Sequence, residues 1–132
     1  MGISSPQKHI ISPNDTLLLG FANTEGTAYN TTYVQYKEIR VGIKGMYRVK
    51  FSLKSQNGSW LAYGKIYKNG LALGTERSTV STSYVTFTED LDFDCLDLLQ
   101  LWTKVQNVSW ASYWKDLKIY GDLGDPVVLL DT

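Results

Sequence analysis

The chain has 132 residues, equal numbers of basic and acidic side chains (13 each), one His and one Cys, and 13% of its residues are aromatic. That length suits a single domain, and one Cys with one His excludes an intramolecular disulfide and a Cys/His zinc site. The zero net charge argues against non-specific nucleic-acid binding, and no apolar run approaches the length of a membrane span. We therefore expect a non-enzymatic protein without a cofactor, whose partners include neither nucleic acid nor membrane.

The two ends of the chain differ in composition from its centre. Residues 1–13 contain two prolines and several small polar residues, which predicts a flexible arm. Residues 14–122 are predicted to form one domain, and residues 123–132 a tail. The tail carries the apolar run Val127, Val128, Leu129 and Leu130. This run could assemble onto a neighbouring subunit by pairing with a sheet edge, or it could fold back on its own domain.

Apolar and polar residues alternate through the centre of the chain, which is typical of half-buried strands. Residues 47–55 give the clearest pattern, and residues 60–68 predict the next strand. Asn69 and Gly70 then predict a tight hairpin turn, because both residues tolerate the positive φ that a type I′ turn needs.

Further alternating segments cover residues 84–92, 97–105 and 110–120. No helix longer than a turn is needed, and we expect no internal repeat. About eight short strands, separated by turn signals roughly every 8–12 residues, predict an all-β fold. The architecture that we expect is a jelly-roll-like antiparallel β-sandwich.

Five of these segments follow one another in an order that resembles small β-sandwich domains of tailed-phage virion proteins. Their layout is also broadly similar to the jelly rolls of the C1q and tumour-necrosis-factor class. The segments are residues 47–55, 64–79, 84–91, 98–104 and 115–122. The resemblance implies a structural virion protein, acting as a capsid decoration, head fibre or tail appendage. It further implies a homo-oligomer, typically a trimer, that contacts other virion proteins such as the major capsid protein.

Aromatic side chains are the first candidates for a functional surface. Trp60, Tyr63, Trp102, Trp110 and Trp114 could fill the core or an interface between subunits, where large rings bury much apolar area. Alternatively, they could stack on the apolar faces of sugar rings in a binding site. The second functional hypothesis is therefore a carbohydrate-binding or adhesin module that binds a host glycan.

An acidic stretch supplies the second candidate site. Asp90, Asp92 and Asp94 would share one face of a continuous strand and could offer oxygen ligands to Ca²⁺. The favoured alternative is a solvated sheet edge that discourages pairing with other chains. The basic side chains of residues 48–54 could also meet this acidic patch across a subunit boundary.

Overall fold

The computed structural model describes residues 11–20 and 25–122, and ten strands lie within these ranges. The strands are β1 (Ser12–Gly20), β2 (Glu25–Ala28), β3 (Val34–Arg40), β4 (Gly45–Ser55), β5 (Ala62–Lys68), β6 (Leu71–Ala72), β7 (Arg77–Thr79), β8 (Val85–Phe93), β9 (Leu98–Val105) and β10 (Ser112–Asp122). None of the residues in these two ranges forms a helix that is long and apolar enough to cross a membrane.

Two antiparallel sheets make up the domain. In sheet A the strand order is β1-β10-β4-β8, and β2 also pairs with β10. In sheet B the order is β3-β9-β5-β6, and β7 also pairs with β5. This architecture confirms the predicted all-β jelly-roll sandwich.

The core consists of the inward-facing residues of both sheets. Strand β4 shows why the alternation was informative: Tyr47, Val49, Phe51 and Leu53 are each at most 3% exposed, while the residues between them face outward. Burying such side chains removes apolar area from water, which stabilises the fold by about 25 cal/mol for each Å².

The sandwich begins before the predicted boundary at residue 14. Ile11 is buried, its N–H donates to the Lys44 carbonyl at 3.1 Å, and its own carbonyl accepts the Met46 N–H at 2.9 Å. Residues 11–13 therefore belong to the domain and not to an arm. Pro13 is tolerated in β1 because this strand lies at a sheet edge. The remainder of the predicted arm, and the tail with Val127, Val128, Leu129 and Leu130, lie outside the described residues.

The turns decide where the predicted strands begin. Asn69 and Gly70 have φ values of 53° and 84°, which confirms the predicted hairpin turn between β5 and β6. In contrast, Trp60 and Trp110 precede β5 and β10 instead of opening them. Each of these tryptophans closes a loop by donating its main-chain N–H to a carbonyl three residues earlier.

An approximate two-fold symmetry relates the two sheets, contrary to the expectation that the chain has no internal repeat. Strands β2, β3, β4 and β5 correspond to β7, β8, β9 and β10. If each strand is replaced by its counterpart, the pairs β2–β10, β4–β10 and β4–β8 of sheet A become the pairs β7–β5, β9–β5 and β9–β3 of sheet B. The registers agree as well: Ser112 faces Ser55 in sheet A, and its counterpart Ala62 faces Val105 in sheet B.

Candidate functional site

Two related loops connect the sheets at one end of the sandwich, and we call them the paired loops. Residues 56–61 lead from β4 to β5, and residues 106–111 lead from β9 to β10. The chain reads QNGSWLAY over residues 56–63 and QNVSWASY over residues 106–113. The side chains of Asn57 and Asn107 each accept a main-chain N–H from the serine two residues later, at 2.9 Å. Turn chemistry thus accounts for both Asn-x-Ser sequences.

Two glutamine side chains fasten the paired loops to each other. Gln56 Oε1 accepts the Ala111 N–H at 2.8 Å, and the Gln56 N–H donates to the Ala111 carbonyl at 3.0 Å. Gln106 makes the same two bonds with Leu61, at 2.8 and 3.0 Å. Trp60 and Trp110 lie half-buried in these loops, so their positions depend on this network.

The outer surface of sheet B carries four aromatic residues, which we call the aromatic face. Tyr63 and Tyr67 lie on β5 and Trp102 lies on β9, while Tyr33 is the residue immediately before β3. The rings of Tyr67 and Trp102 stack with centroids 4.1 Å apart and planes 6° apart, and Tyr33 lies 5.9 Å from Tyr67. All four are half-buried, so each exposes part of its side chain to solvent.

Charged side chains lie among these rings. The Lys104 ammonium group is 4.7 Å from the ring centres of both Tyr33 and Tyr63, and 3.7 Å from a Glu76 carboxylate oxygen. The Tyr33 hydroxyl donates to Glu76 at 2.8 Å. Burial and this hydrogen bond hold the pKa of Tyr33 well above its ordinary value, so the phenol keeps its proton far into the alkaline range.

Hydrogen bonds fix the orientation of the indole in the aromatic face. The Trp102 ring N–H donates to Gln100 Oε1 at 3.2 Å, and Gln100 in turn donates to Glu38 at 3.1 Å. Gln35, opposite Trp102 on β3, also donates to Glu38 at 3.1 Å. A ring held in this way needs little ordering when a ligand binds, which favours affinity.

The predicted aromatic candidates separate into three environments. Tyr63 and Trp102 lie together in the aromatic face, whereas Trp60 and Trp110 lie in the paired loops. Trp114 is 4% exposed and belongs to the core, because it points inward from β10 over Gly26. It therefore does not share a surface with Trp110.

Two members of the aromatic face, Tyr33 and Tyr67, were not among the predicted site residues. Tyr67 could have been found, because it lies four residues after Tyr63 on a strand and therefore on the same side. Tyr33 could not, because it reaches the site only through the pairing of β3 with β9.

The acidic stretch does not form the suggested calcium site. Strand β8 ends at Phe93, so Asp94 has left the sheet and lies 3.6 Å from Lys44. Asp90 is bonded to Arg48 at 3.0 Å. No group of His, Cys, Asp and Glu that could hold a metal ion occurs in residues 11–20 and 25–122. The basic and acidic patches therefore meet within sheet A itself, because β4 and β8 are neighbours.

A pocket of about 310 Å³ lies at the other end of β4 from the paired loops. Its lining residues are Lys44, Gly45, Lys68, Asp92, Phe93 and Asp94. The contact between Lys44 and Asp94 pairs one of its two carboxylates with a cation. The pocket contains Asp92 and Asp94 of the acidic stretch but none of the predicted aromatic residues.

Comparison with solved structures identifies domains of similar fold. A CBM36 carbohydrate-binding domain of a multidomain xylanase, from the hindgut metagenome of Trinervitermes trinervoides, matches with a TM-score of 0.56 and 18% identity over 77% of this chain and 78% of that one. The C-terminal domain of the sugar-binding protein EclA matches with a TM-score of 0.58 and 12% identity over 80% of this chain and 83% of that one. No protein-family model and no curated protein matches the chain.

These neighbours change the functional interpretation of the fold. They confirm the jelly-roll β-sandwich, but they contradict the predicted role as a phage virion structural protein, because the similar domains are carbohydrate-binding modules. The strand order that resembled virion domains is common to many jelly rolls and does not separate these classes. The predicted homo-oligomer, its virion partners and its virion location gain no support from the neighbours.

Proposed function

We propose that this domain is a non-catalytic carbohydrate-binding module and that the aromatic face binds the glycan. The observation that carries the proposal is the stacked pair Tyr67 and Trp102 on an outer sheet surface, with charged and amide groups around it. The fold shared with two sugar-binding domains supports the same function.

The side chains of the aromatic face match the two sides of a sugar. A pyranose ring presents C–H groups that pack on an aromatic ring, and hydroxyl groups that need donors and acceptors. Lys104 and Gln35 can donate to such hydroxyls, and Glu76 can accept from them. Lys65 of β5 is a further donor, because its ammonium group lies 5.8 Å from the Tyr33 ring centre. Trp102 is held in place by Gln100, so the apolar platform is formed before the ligand arrives.

Affinity electrophoresis through gels that contain soluble polysaccharides tests this proposal. The panel is xylan, mixed-linkage β-glucan, laminarin, galactomannan and polygalacturonate. We expect at least one to retard the protein, and Trp102→Ala to weaken that binding about 30-fold, the effect of losing about 2 kcal/mol at a binding hot spot. Trp60→Ala is the matched control and should bind as wild type. Failure of every polysaccharide to retard the protein would refute the function. Loss of binding with Trp60→Ala but not with Trp102→Ala would refute the site.

A further inference from the structure

The outer surface of sheet A carries a group of side chains that repeats part of the aromatic face. Lys54 Nζ lies 4.7 Å from the ring centre of Tyr84 and 5.1 Å from that of Tyr113. Lys115 Nζ lies 4.4 Å from the Tyr84 ring, and the Tyr84 hydroxyl donates to Glu25. We call these five residues the sheet A cluster.

The sheet B cluster is the corresponding group in the aromatic face and its surroundings. Lys104 lies between Tyr33 and Tyr63 as Lys54 lies between Tyr84 and Tyr113. Lys65 lies 5.8 Å from the Tyr33 ring, and Tyr33 donates to Glu76. The residues that correspond are Tyr33 and Tyr84, Tyr63 and Tyr113, Lys65 and Lys115, Lys104 and Lys54, and Glu76 and Glu25.

The two-fold symmetry places these clusters on opposite outer faces of the sandwich. Tyr113 is opposite Lys54 across β10 and β4, and Tyr63 is opposite Lys104 across β5 and β9. The two sheets pack about 10 Å apart, and the clusters face away from each other. One short oligosaccharide therefore cannot occupy both.

Packing of the core does not require these side chains, because all of them point out of the sandwich. Other outward positions differ between the two halves of the chain that the symmetry relates. Ser52 corresponds to Trp102, and Lys118 corresponds to Tyr67 once the one-residue bulge in β10 is taken into account. Five identical outward residues share the lysine–ring contacts and the tyrosine–glutamate hydrogen bond. Beside positions that differ, this agreement indicates a requirement common to both faces.

We propose that the two clusters are related binding sites for the same saccharide unit, so that one domain binds two glycan chains. This inference rests on the proposed function. Each cluster offers two ammonium donors, one carboxylate acceptor and two phenol rings, which together suit the hydroxyl groups and the C–H face of a hexose. Because sheet A lacks the Tyr67 and Trp102 stack, its site should be the weaker by the factor that Trp102→Ala costs, about 30-fold.

Variants that remove the charge of one cluster at a time test the inference. Methionine in place of lysine keeps an apolar stem against the rings and removes the ammonium group. The two variants are Lys54→Met with Lys115→Met for sheet A, and Lys65→Met with Lys104→Met for sheet B. Lys44→Met with Lys68→Met, near the opposite end of the sandwich, removes the same charge and serves as the control. Thermal unfolding checks that each variant is folded.

Calorimetric titration with oligosaccharides of whichever panel polysaccharide retards the protein counts the sites. We expect a tight and a weak site in the wild type and in the control, only the tight site in the sheet A variant, and only the weak site in the sheet B variant. Mixing with the intact polysaccharide should raise light scattering for the wild type and the control, but not for either cluster variant, because only a bivalent domain cross-links chains.

The outcomes separate this inference from the proposed function. One site in the wild type, unchanged by the sheet A variant, would refute the second site and leave the carbohydrate-binding module intact. A folded variant that lacks all four lysines but binds as wild type would show that the clusters only stabilise the fold. Absence of binding to the whole panel would refute the proposed function, and this inference with it.

Discussion

Replacing Gln56 with alanine should destabilise the domain as strongly as a change in its core, although the side chain is exposed. The substitution removes the acceptor of the Ala111 N–H. Ala111 is 1% exposed, so its N–H is poorly placed to gain water in place of the lost partner. A buried N–H without a partner costs about 1–3 kcal/mol. The corresponding change, Gln106→Ala, should cost less, about 0.5–1.5 kcal/mol, because its partner Leu61 is half-buried and can be hydrated.

Urea unfolding followed by tryptophan fluorescence measures both effects. With an m-value of about 2 kcal/mol/M, Gln56→Ala should lower the midpoint by about 0.5–1.5 M without changing m. Gln35→Ala is the control, because the side-chain amide of Gln35 donates to the Glu38 side chain and not to a buried main-chain group. Its urea midpoint should stay within about 0.25 M of the wild-type value. If Gln56→Ala also stays within that range, or costs less than Gln106→Ala, burial of the accepted N–H does not control the stability of the paired loops.

Two further predictions concern packing and pH. A Cβ atom at Gly26 would lie 2.3 Å from the Trp114 ring, so Gly26→Ala should lower the free energy of unfolding by about 1–3 kcal/mol through overpacking. At Gly58 the atom nearest to an added Cβ is 3.8 Å away, so Gly58→Ala should be close to neutral in the same urea assay. Burial raises the pKa of Tyr47 to about 12, so the unfolded chain ionises first. This tyrosine alone should lower the stability by about 1.4 kcal/mol for each pH unit between 10 and 12, and Tyr33, whose pKa is also raised, should steepen the fall. A midpoint that does not change over that range would contradict the raised pKa of Tyr47.

Local patterns predicted the strands well, because in each strand the alternation records which side faces the core. Residues 47–55 lie within β4, and Asn69 with Gly70 forms the turn that their tolerance of positive φ required. The same pattern failed at Trp60 and Trp110. Both tryptophans continue the alternation of the strand that follows, yet hydrogen bonds to Asn57 and Asn107 hold them in loops.

The site was only partly predictable, since it combines residues from distant strands. Tyr63 and Trp102 were recognised as aromatic candidates by residue type alone. Their neighbour Tyr33 arrives through the pairing of β3 with β9, and no local pattern encodes the register of two strands so far apart in the chain. Signals of the internal repeat were present in residues 56–63 and 106–113, but most positions outside the paired loops have diverged.

The chain consists of two related halves, β2–β5 and β7–β10, and strands of one half pair with strands of the other. This pairing determines when the chain can fold. No strand of the first half pairs with another strand of that half. Strands β2 and β4 pair with β10, β3 pairs with β9, and β5 pairs with strands that begin after residue 70. Of the β-pairing in the described residues, a chain that ends at residue 69 therefore keeps only the main-chain contact of Ile11 with Lys44 and Met46, and it should show little β-structure by circular dichroism. Folding therefore requires nearly the whole sequence, and it should be slow because the strands that pair are far apart in the chain.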